Sequence, residues 1–335
     1  RWPVAPSGRS LYWEGLNKGK KSVAIDLAGR EGRELALRIA TAPGPGGGLF
    51  VTNYPVGGFL AHDRLAARRA DMITVRVMGW ADGRNGVDYT VNAVTGLTAM
   101  TGPPELDRDQ PVNHVLPAWD LITGSYAAFS LLAAELHRRA TGQGGEVRVP
   151  LSDIAATSLG HIGQIAETLV TGDRPRLGND LFGALGRDFA TSDGKRVMIV
   201  AITGKQWAAV VEALGIGAEV AAIEAELGVT FAHEGQRFSH RARLFPLLQS
   251  ALGRLALPEA GVVLDRAGVC WSVYKRLSQA IVDEPGLVSG NPVFAERRHP
   301  AGHAYPTPGA AATFTGLARA DAPCAPRLGQ HTDEV

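Results

Sequence analysis

Cysteine is nearly missing from this chain: Cys270 and Cys324, far apart, are the only two in 335 residues. They are too few for a disulfide framework, and no CxxC or Cys/His spacing offers a zinc site. Such usage suits a reducing compartment, so a cytoplasmic protein is expected. Neither sign of charge is in excess, with 34 Lys and Arg against 33 Asp and Glu. That balance argues against a nucleic-acid groove or a membrane surface as the main partner. No apolar run reaches membrane-spanning length. The absence of Gly-x-x-x-x-Gly-Lys-Ser/Thr removes a P-loop nucleotide hydrolase. Without GxSxG or HExxH, neither a serine hydrolase nor a zinc hydrolase is expected, and His233-Glu234 with His240 has the wrong spacing for a helical zinc pair. No signal peptide is visible, but the sequence does not open with Met either; a fragment cut at both ends is the expectation.

What remains is a globular composition, 45% apolar and 20% charged, long enough for one large or two medium domains. The spacing predicts a strand at 22–26, a helix at about 30–41, a strand at 49–52, a helix at about 58–70 and a strand at 72–78. Strands alternating with helices favour a parallel sheet with covering helices. Ligands bind at the carboxyl ends of such strands, where Asn53, Tyr54, Gly79 and Trp80 fall. The run Gly44-Pro45-Gly46-Gly47-Gly48 precedes a strand instead of following one, so it reads as a linker, not a phosphate loop. The lysines of Asn17-Lys18-Gly19-Lys20-Lys21 have two readings, a solvated charge run or a phosphate contact. Residues 79–118 read as mostly irregular, and a long connection inside a compact domain is more often functional than idle. Thr101, Gly102 and His114 lie on it and join the binding-site candidates.

The stretch from Pro117 to Gly124 opens the most pronounced helix of the chain. It runs on through Leu131, Leu132 and Leu136 to His137-Arg138-Arg139, with Gly142 just past the end, as cations and a glycine mark a helix C-terminus. Asp is a favoured N-cap, so Asp120 is expected at the positive end of a well-buried helix, where dipole and N–H groups keep it ionised. Two roles fit it: a cap that holds the helix start, or a carboxylate nucleophile able to carry an acyl group. Position alone does not choose. Further on, a strand at 146–151, a long helix to about 170, a strong strand at 195–201 and helices near 204–214, 217–226, 239–254, 258–266 and 276–283 are expected, with weak strand character at 310–315. The resulting division is 1–187, a large α/β domain; 188–290, a small α+β domain; and 291–335, a return segment.

Three stretches, in this order and spacing, resemble the family III CoA-transferases. They are Leu16-Asn17-Lys18-Gly19-Lys20-Lys21-Ser22-Val23-Ala24-Ile25-Asp26, the Asp120 helix with Glu135 to Gly144, and the terminal Leu328 to Val335. The likeness covers the whole chain. It narrows, through Val87-Asp88-Tyr89-Thr90-Val91-Asn92, Val112 to Asp120 and Gly183 to Phe189, to a branch that moves CoA between the two carboxyls of one molecule, from C1 to C4 of mesaconate, in the 3-hydroxypropionate route. The resemblance implies a fold with a large open parallel-sheet domain built from both chain ends and a small inserted domain, in an interlocked homodimer. It also implies a further N-terminal strand–helix–strand unit outside this sequence, and with it part of the CoA site, so that an inactive chain is one expected outcome.

Position by position, Asp120 matches the family's nucleophile, Asn53 and Tyr54 an Asn-Phe pair at the CoA site, Tyr89 a pocket tyrosine, and Lys20 a basic residue ahead of the Ser-Val strand. Pro55 stands where an arginine is usual, so that phosphate contact is not expected. The partner implied is an acyl-CoA thioester, with no metal or redox cofactor. N–H groups near the helix start, at Thr123 and Gly124, are the expected oxyanion donors. An intermolecular transferase with another acid acceptor shares all of this chemistry. An α-methylacyl-CoA racemase needs a histidine where Val87 stands, and a remnant that binds CoA esters without turnover is the non-enzymatic alternative.

Overall fold

The computed structural model describes residues 2–44 and 46–335; Arg1 and Pro45, the latter in the glycine linker, lie outside the described residues. The chain parts into two compact units, residues 1–36 with 275–335, and residues 37–274. The first elements are α1 (Leu11–Leu16), α2 (Arg30–Ala40), β1 (Leu49–Thr52), α3 (His62–Ala66) and β2 (Ile73–Met78). Next come α4 (Asp88–Val94), α5 (Leu97–Met100), α6 (Ala118–Thr141), β3 (Gly145–Pro150), α7 (Leu151–His161) and α8 (Gln164–Thr171). They are followed by β4 (Leu185–Ala190), β5 (Arg196–Ala201), α9 (Gly204–Leu214), α10 (Gly217–Leu227), α11 (Glu234–Ser239), α12 (Arg241–Leu252), α13 (Leu257–Ala267) and β6 (Cys270–Val273). The last are α14 (Leu277–Asp283), β7 (Phe294–Arg298) and β8 (Ala304–Pro308).

In the unit of residues 37–274, β1, β2 and β3 pair in parallel in that order, Leu49 opposite Ile73 and Ile73 opposite Gly145. Ile73, Val75 and Val149 are buried beneath Ala127 of α6 and Ile154 of α7, as expected for a parallel strand covered on its faces. β4, β5 and β6 form a separate antiparallel sheet. Its core joins Phe189, Val197 and Ile199 to Trp207 of α9, Leu244 and Leu248 of α12, and Leu264 of α13. Among the described residues, no single helix is long and apolar enough to cross a membrane.

In the other unit, β7 and β8 form an antiparallel hairpin. Buried Glu14 of α1 accepts the Ala301 N–H at 3.0 Å and the Tyr305 hydroxyl at 2.8 Å. Burial, and then that hydrogen bond, push the Tyr305 phenol well above its ordinary range. The expected strand at 22–26 is not a strand. Its polar groups pair with a terminal turn: His331 Nδ1 accepts the Ser22 N–H at 3.0 Å, and Thr332 Oγ1 the Ala24 N–H at 2.9 Å.

Other expectations also shift. The connection 79–118 contains α4 and α5. The long helix after β3 breaks at Gly163, whose φ of 78° lies outside the helical region, into α7 and α8. The late strands are β7 and β8, while 310–315 has none. The helix at 58–70 shrinks to α3, five residues long.

Candidate active site

β2 ends at Met78, and the chain turns through Gly79, where a Cβ would come within 2.3 Å of the Gly86 nitrogen. That close return delivers Asp88 to the start of α4. α6 carries the chain back to the start of β3, so its N-terminus lies at the carboxyl edge of the sheet. There Trp119 packs with Val77, Trp80, Val91 and Leu151.

Asp120 is not the N-cap. Pro117 holds that position and Asp120 is the third residue of α6. The capping is done from a distance. Oδ2 of Asp88, a fully buried carboxylate, accepts the Trp119 N–H at 2.7 Å and the Asp120 N–H at 3.1 Å. The Leu121 and Ala118 N–H groups go to Pro117 O and Leu116 O. Every donor of the first turn is therefore engaged. Thr123 and Gly124 sit past that turn, where N–H groups belong to the helical ladder, so they are not the oxyanion donors expected from sequence. What Thr123 offers is a buried hydroxyl with no hydrogen-bond partner.

Asp88 is itself held. Its Oδ1 lies 3.0 Å from His114 Nε2. The His114 ring stands 5.9 Å from Tyr89 and 6.0 Å from Trp119, centroid to centroid. Asn92 accepts the indole N–H of Trp119 at 3.1 Å and donates to Asn113 at 3.1 Å. Asp120, Tyr89 and His114 are thus brought together, around a carboxylate and an asparagine that sequence reasoning had quoted only as motif letters. The α6 helix is also less buried than expected: Leu121, Phe129, Leu132 and Leu136 lie exposed at helical spacing.

Asn53 and Tyr54 follow β1 at the same carboxyl edge, both exposed. Their loop is held by Arg76 of β2, a buried arginine that sequence reasoning missed because it sits inside an apolar strand run. Arg76 donates to Tyr54 O at 2.7 Å, Pro55 O at 2.9 Å and Leu60 O at 3.2 Å, and pairs with Glu146 of β3 at 2.7 Å. Burial opposes the charge on Glu146, but hydrogen bonds from Arg76 and Arg148 prevail and hold its carboxyl below the ordinary range. A depressed acid stabilises the fold above its unfolded value, near pH 4.3, and loses that contribution as pH falls through the folded value. We expect Glu146→Gln to lower the urea midpoint at pH 7, by about 3 kcal/mol of stability since Arg76 stays buried. Its stability should also fall less steeply on the acid side; an acid limb as steep as the wild type's would exclude this role.

Thr101 and Gly102 lie just beyond α5. Gly102 has φ 101°, and a Cβ there would meet Val112 Cγ2 at 2.9 Å, so glycine is required by both angle and space. Asn17 and Lys20 belong to the other unit, where the Lys20 ammonium donates to Leu16 O and Asn17 Oδ1, both at 3.1 Å.

Against known proteins, the description "CoA-transferase family III" matches residues 1–332. This chain belongs to that family. It is accordingly an enzyme of the CoA-transferase class. Among its relatives, 2-methylfumaryl-CoA isomerase of Chloroflexus aurantiacus is 45% identical over 337 residues, covering 100% of this chain and 82% of that protein. Human succinyl-CoA:glutarate CoA-transferase is 24% identical over 97% of this chain and 73% of its own length. Among solved structures, the orthorhombic form of Rv3272 from Mycobacterium tuberculosis superposes with a TM-score of 0.77 at 24% identity, over 98% of this chain and 88% of that one. A CAIB/BAIF family protein from Brucella suis gives 0.74 at 22% identity, over 97% and 83%. The family III fold, with its parallel and antiparallel sheets, is therefore the fold of this chain.

Proposed function

We propose that this protein moves CoA within mesaconyl-CoA, from the C1 to the C4 carboxyl. The observation that carries the reading is Asp120, held by Asp88 at the carboxyl edge of the sheet in a chain 45% identical to 2-methylfumaryl-CoA isomerase. An Asp120 oxygen attacks the thioester carbon, the C–S bond breaks, and a mixed anhydride forms as CoA leaves as thiolate. The thiolate attacks the Asp120 carbonyl of that anhydride, giving an aspartyl thioester and freeing the C1 carboxylate. The C4 carboxylate then attacks the aspartyl thioester, and the returning thiolate cleaves the second anhydride at the C4 acyl carbon. Asp120 is regenerated. Splitting one exchange into such steps is the gain of covalent catalysis, and shielding the anhydrides from water prevents hydrolysis.

Asn53, Tyr54, Tyr89, Thr101, Gly102, His114, Asn17 and Lys20 are the residues we assign to CoA and substrate, and we keep the division at residues 187 and 290. The self-contained core of β4 to β6 with α9, α12 and α13 supports a separate small domain, although β4 begins at Leu185, just ahead of the first boundary. The exposed apolar face of α6 supports a homodimer, which light scattering at twice 35.3 kDa would check.

The deciding experiment supplies mesaconyl-C1-CoA together with isotope-labelled free mesaconate. C4-CoA product without label is the expected result. Label in the product would assign the protein to the intermolecular transferases instead.

A further inference from the structure

A cavity of about 460 Å³ opens between the turn after α5 and the β4–β5 hairpin, lined by Thr101, Gly102, Asn179, Asp180, Arg187 and Arg196 among others. Its first wall is built rigidly. Arg176, itself buried, donates to Ala99 O at 2.7 Å and to Gln110 O, and so staples the turn at both ends. Thr101 Oγ1 donates to Leu97 O at 2.7 Å, one helical turn back, and Leu97 packs against the apolar cluster that contains Trp119, the neighbour of Asp120. The cavity wall therefore continues into the packing that supports the nucleophile.

The two arginines of the second wall differ. Arg196 is committed to Asp188, whose carboxylate also accepts from Asn179 at 3.0 Å. Burial opposes that charge, but the two hydrogen bonds outweigh it and hold Asp188 below the ordinary range. Arg187 is held loosely. Its Nε is 3.6 Å from Asp180 Oδ1, beyond hydrogen-bond length, and its guanidinium lies 5.0 Å over the ring of Phe245. The other Asp180 oxygen is 3.3 Å from Arg241 Nε. Two guanidinium groups thus share one carboxylate, Arg241 from outside the lining, so the Arg187 guanidinium is left without a hydrogen-bonded acid of its own. Glu105 is the remaining acid of the lining, exposed on the opposite turn.

We propose that this cavity holds the free carboxylate of a dicarboxylic acyl group, with Arg187 as its anchor. The inference rests on the transfer chemistry assigned to Asp120 and names the site that makes the substrate a dicarboxylate. A guanidinium fork matches a planar carboxylate in a bidentate way that an ammonium does not. Intramolecular transfer gives the anchor a second task. When the aspartyl thioester forms, the acid is released from covalent attachment and must turn round without leaving. This anchoring requires one carboxyl at Asp120 and the other at Arg187 at the start, and the reverse at the end. Arg187 is the group that retains the acid meanwhile.

The test uses Arg187→Gln and Arg187→Lys, assayed with mesaconyl-CoA, with succinyl-CoA and with methacrylyl-CoA, the last carrying no free carboxylate. CoA release is followed in hydroxylamine, and conversion is followed with labelled mesaconate in the medium. For Arg187→Gln we expect the preference for dicarboxylyl over monocarboxylyl thioester, as a ratio of kcat/KM, to fall about 10- to 100-fold, the range of a charged hydrogen bond. Label should then enter the product, whereas the wild type is expected to exclude it. Arg187→Lys should recover part of the preference. An unchanged ratio, or equal losses on both thioesters, overturns the proposal. Should the wild type leave mesaconyl-CoA untouched, the mesaconyl reading fails, while the succinyl-CoA to methacrylyl-CoA ratio still decides whether Arg187 reads a carboxylate.

Discussion

Asp120→Asn is expected to abolish transfer, with kcat lowered on the order of 10⁴- to 10⁶-fold, the scale on which losing a covalent nucleophile is felt. The amide is nearly isosteric but cannot attack a thioester to form an anhydride. Its effect on the fold should be slight. Asp120 is the third residue of α6, half-buried, and the backbone N–H it presents to Asp88 is untouched by the change. The attraction between a carboxylate and the helix N-terminus, roughly 0.3–1 kcal/mol, is part of what is lost. A urea midpoint close to wild type, with no CoA released from the thioester, is the predicted pair of results. Mass spectrometry in hydroxylamine should find modification at Asp120 in the wild-type protein and none in the variant. If the purified Asp120→Asn protein retains its rate, the nucleophile lies elsewhere.

Much of this site could be read along the chain, because its supports are local patterns. The apolar runs of β1 and β2 and the Arg138-Arg139 to Gly142 ending of α6 each carry their own signal, and each lies where that signal placed it. The cap of α6 carried none, because its acceptor lies 31 residues upstream of Trp119 on another helix. Capping preferences describe side chains adjacent in sequence, so they assigned to Asp120 a task that Asp88 performs. α4 and α5, seven and four residues long, are too short to stand on propensity alone; burial of Val91 against Trp119, with Leu97 packed beside them, holds them. At 22–26 the reading as a strand fails because the Ser22 and Ala24 N–H groups go to side chains of His331 and Thr332, which no periodicity reveals. Arg76 is the converse case. A charge in an apolar strand reads as an edge or an error until the carbonyls of Tyr54, Pro55 and Leu60 are seen to surround it.

Asp88→Ala should be nearly as damaging to turnover, by a different route. The variant removes one acceptor from three donors: the N–H groups of Trp119 and Asp120, and the imidazole of His114. Loss of a helix cap costs about 1 kcal/mol, and each buried donor left unsatisfied adds about 1–3 kcal/mol. Partial fraying of the first turn follows, and Asp120 is in that turn. A displacement of about 1 Å at a reacting group is enough to cost about 10²-fold in rate. We therefore expect Asp88→Ala to lose at least about 10²-fold in kcat and several degrees in Tm. Asp88→Asn separates geometry from charge. Its carbonyl oxygen can take both backbone N–H groups, while its NH₂ donates to His114 Nε2, provided the imidazole carries its proton on Nδ1. That rearrangement keeps the cap without the negative charge. A kcat for Asp88→Asn well above that for Asp88→Ala would mean that Asp88 acts by holding the turn. Equal losses in the two variants, with Asp88→Asn as stable as wild type, would mean instead that the reaction needs its charge beside Asp120.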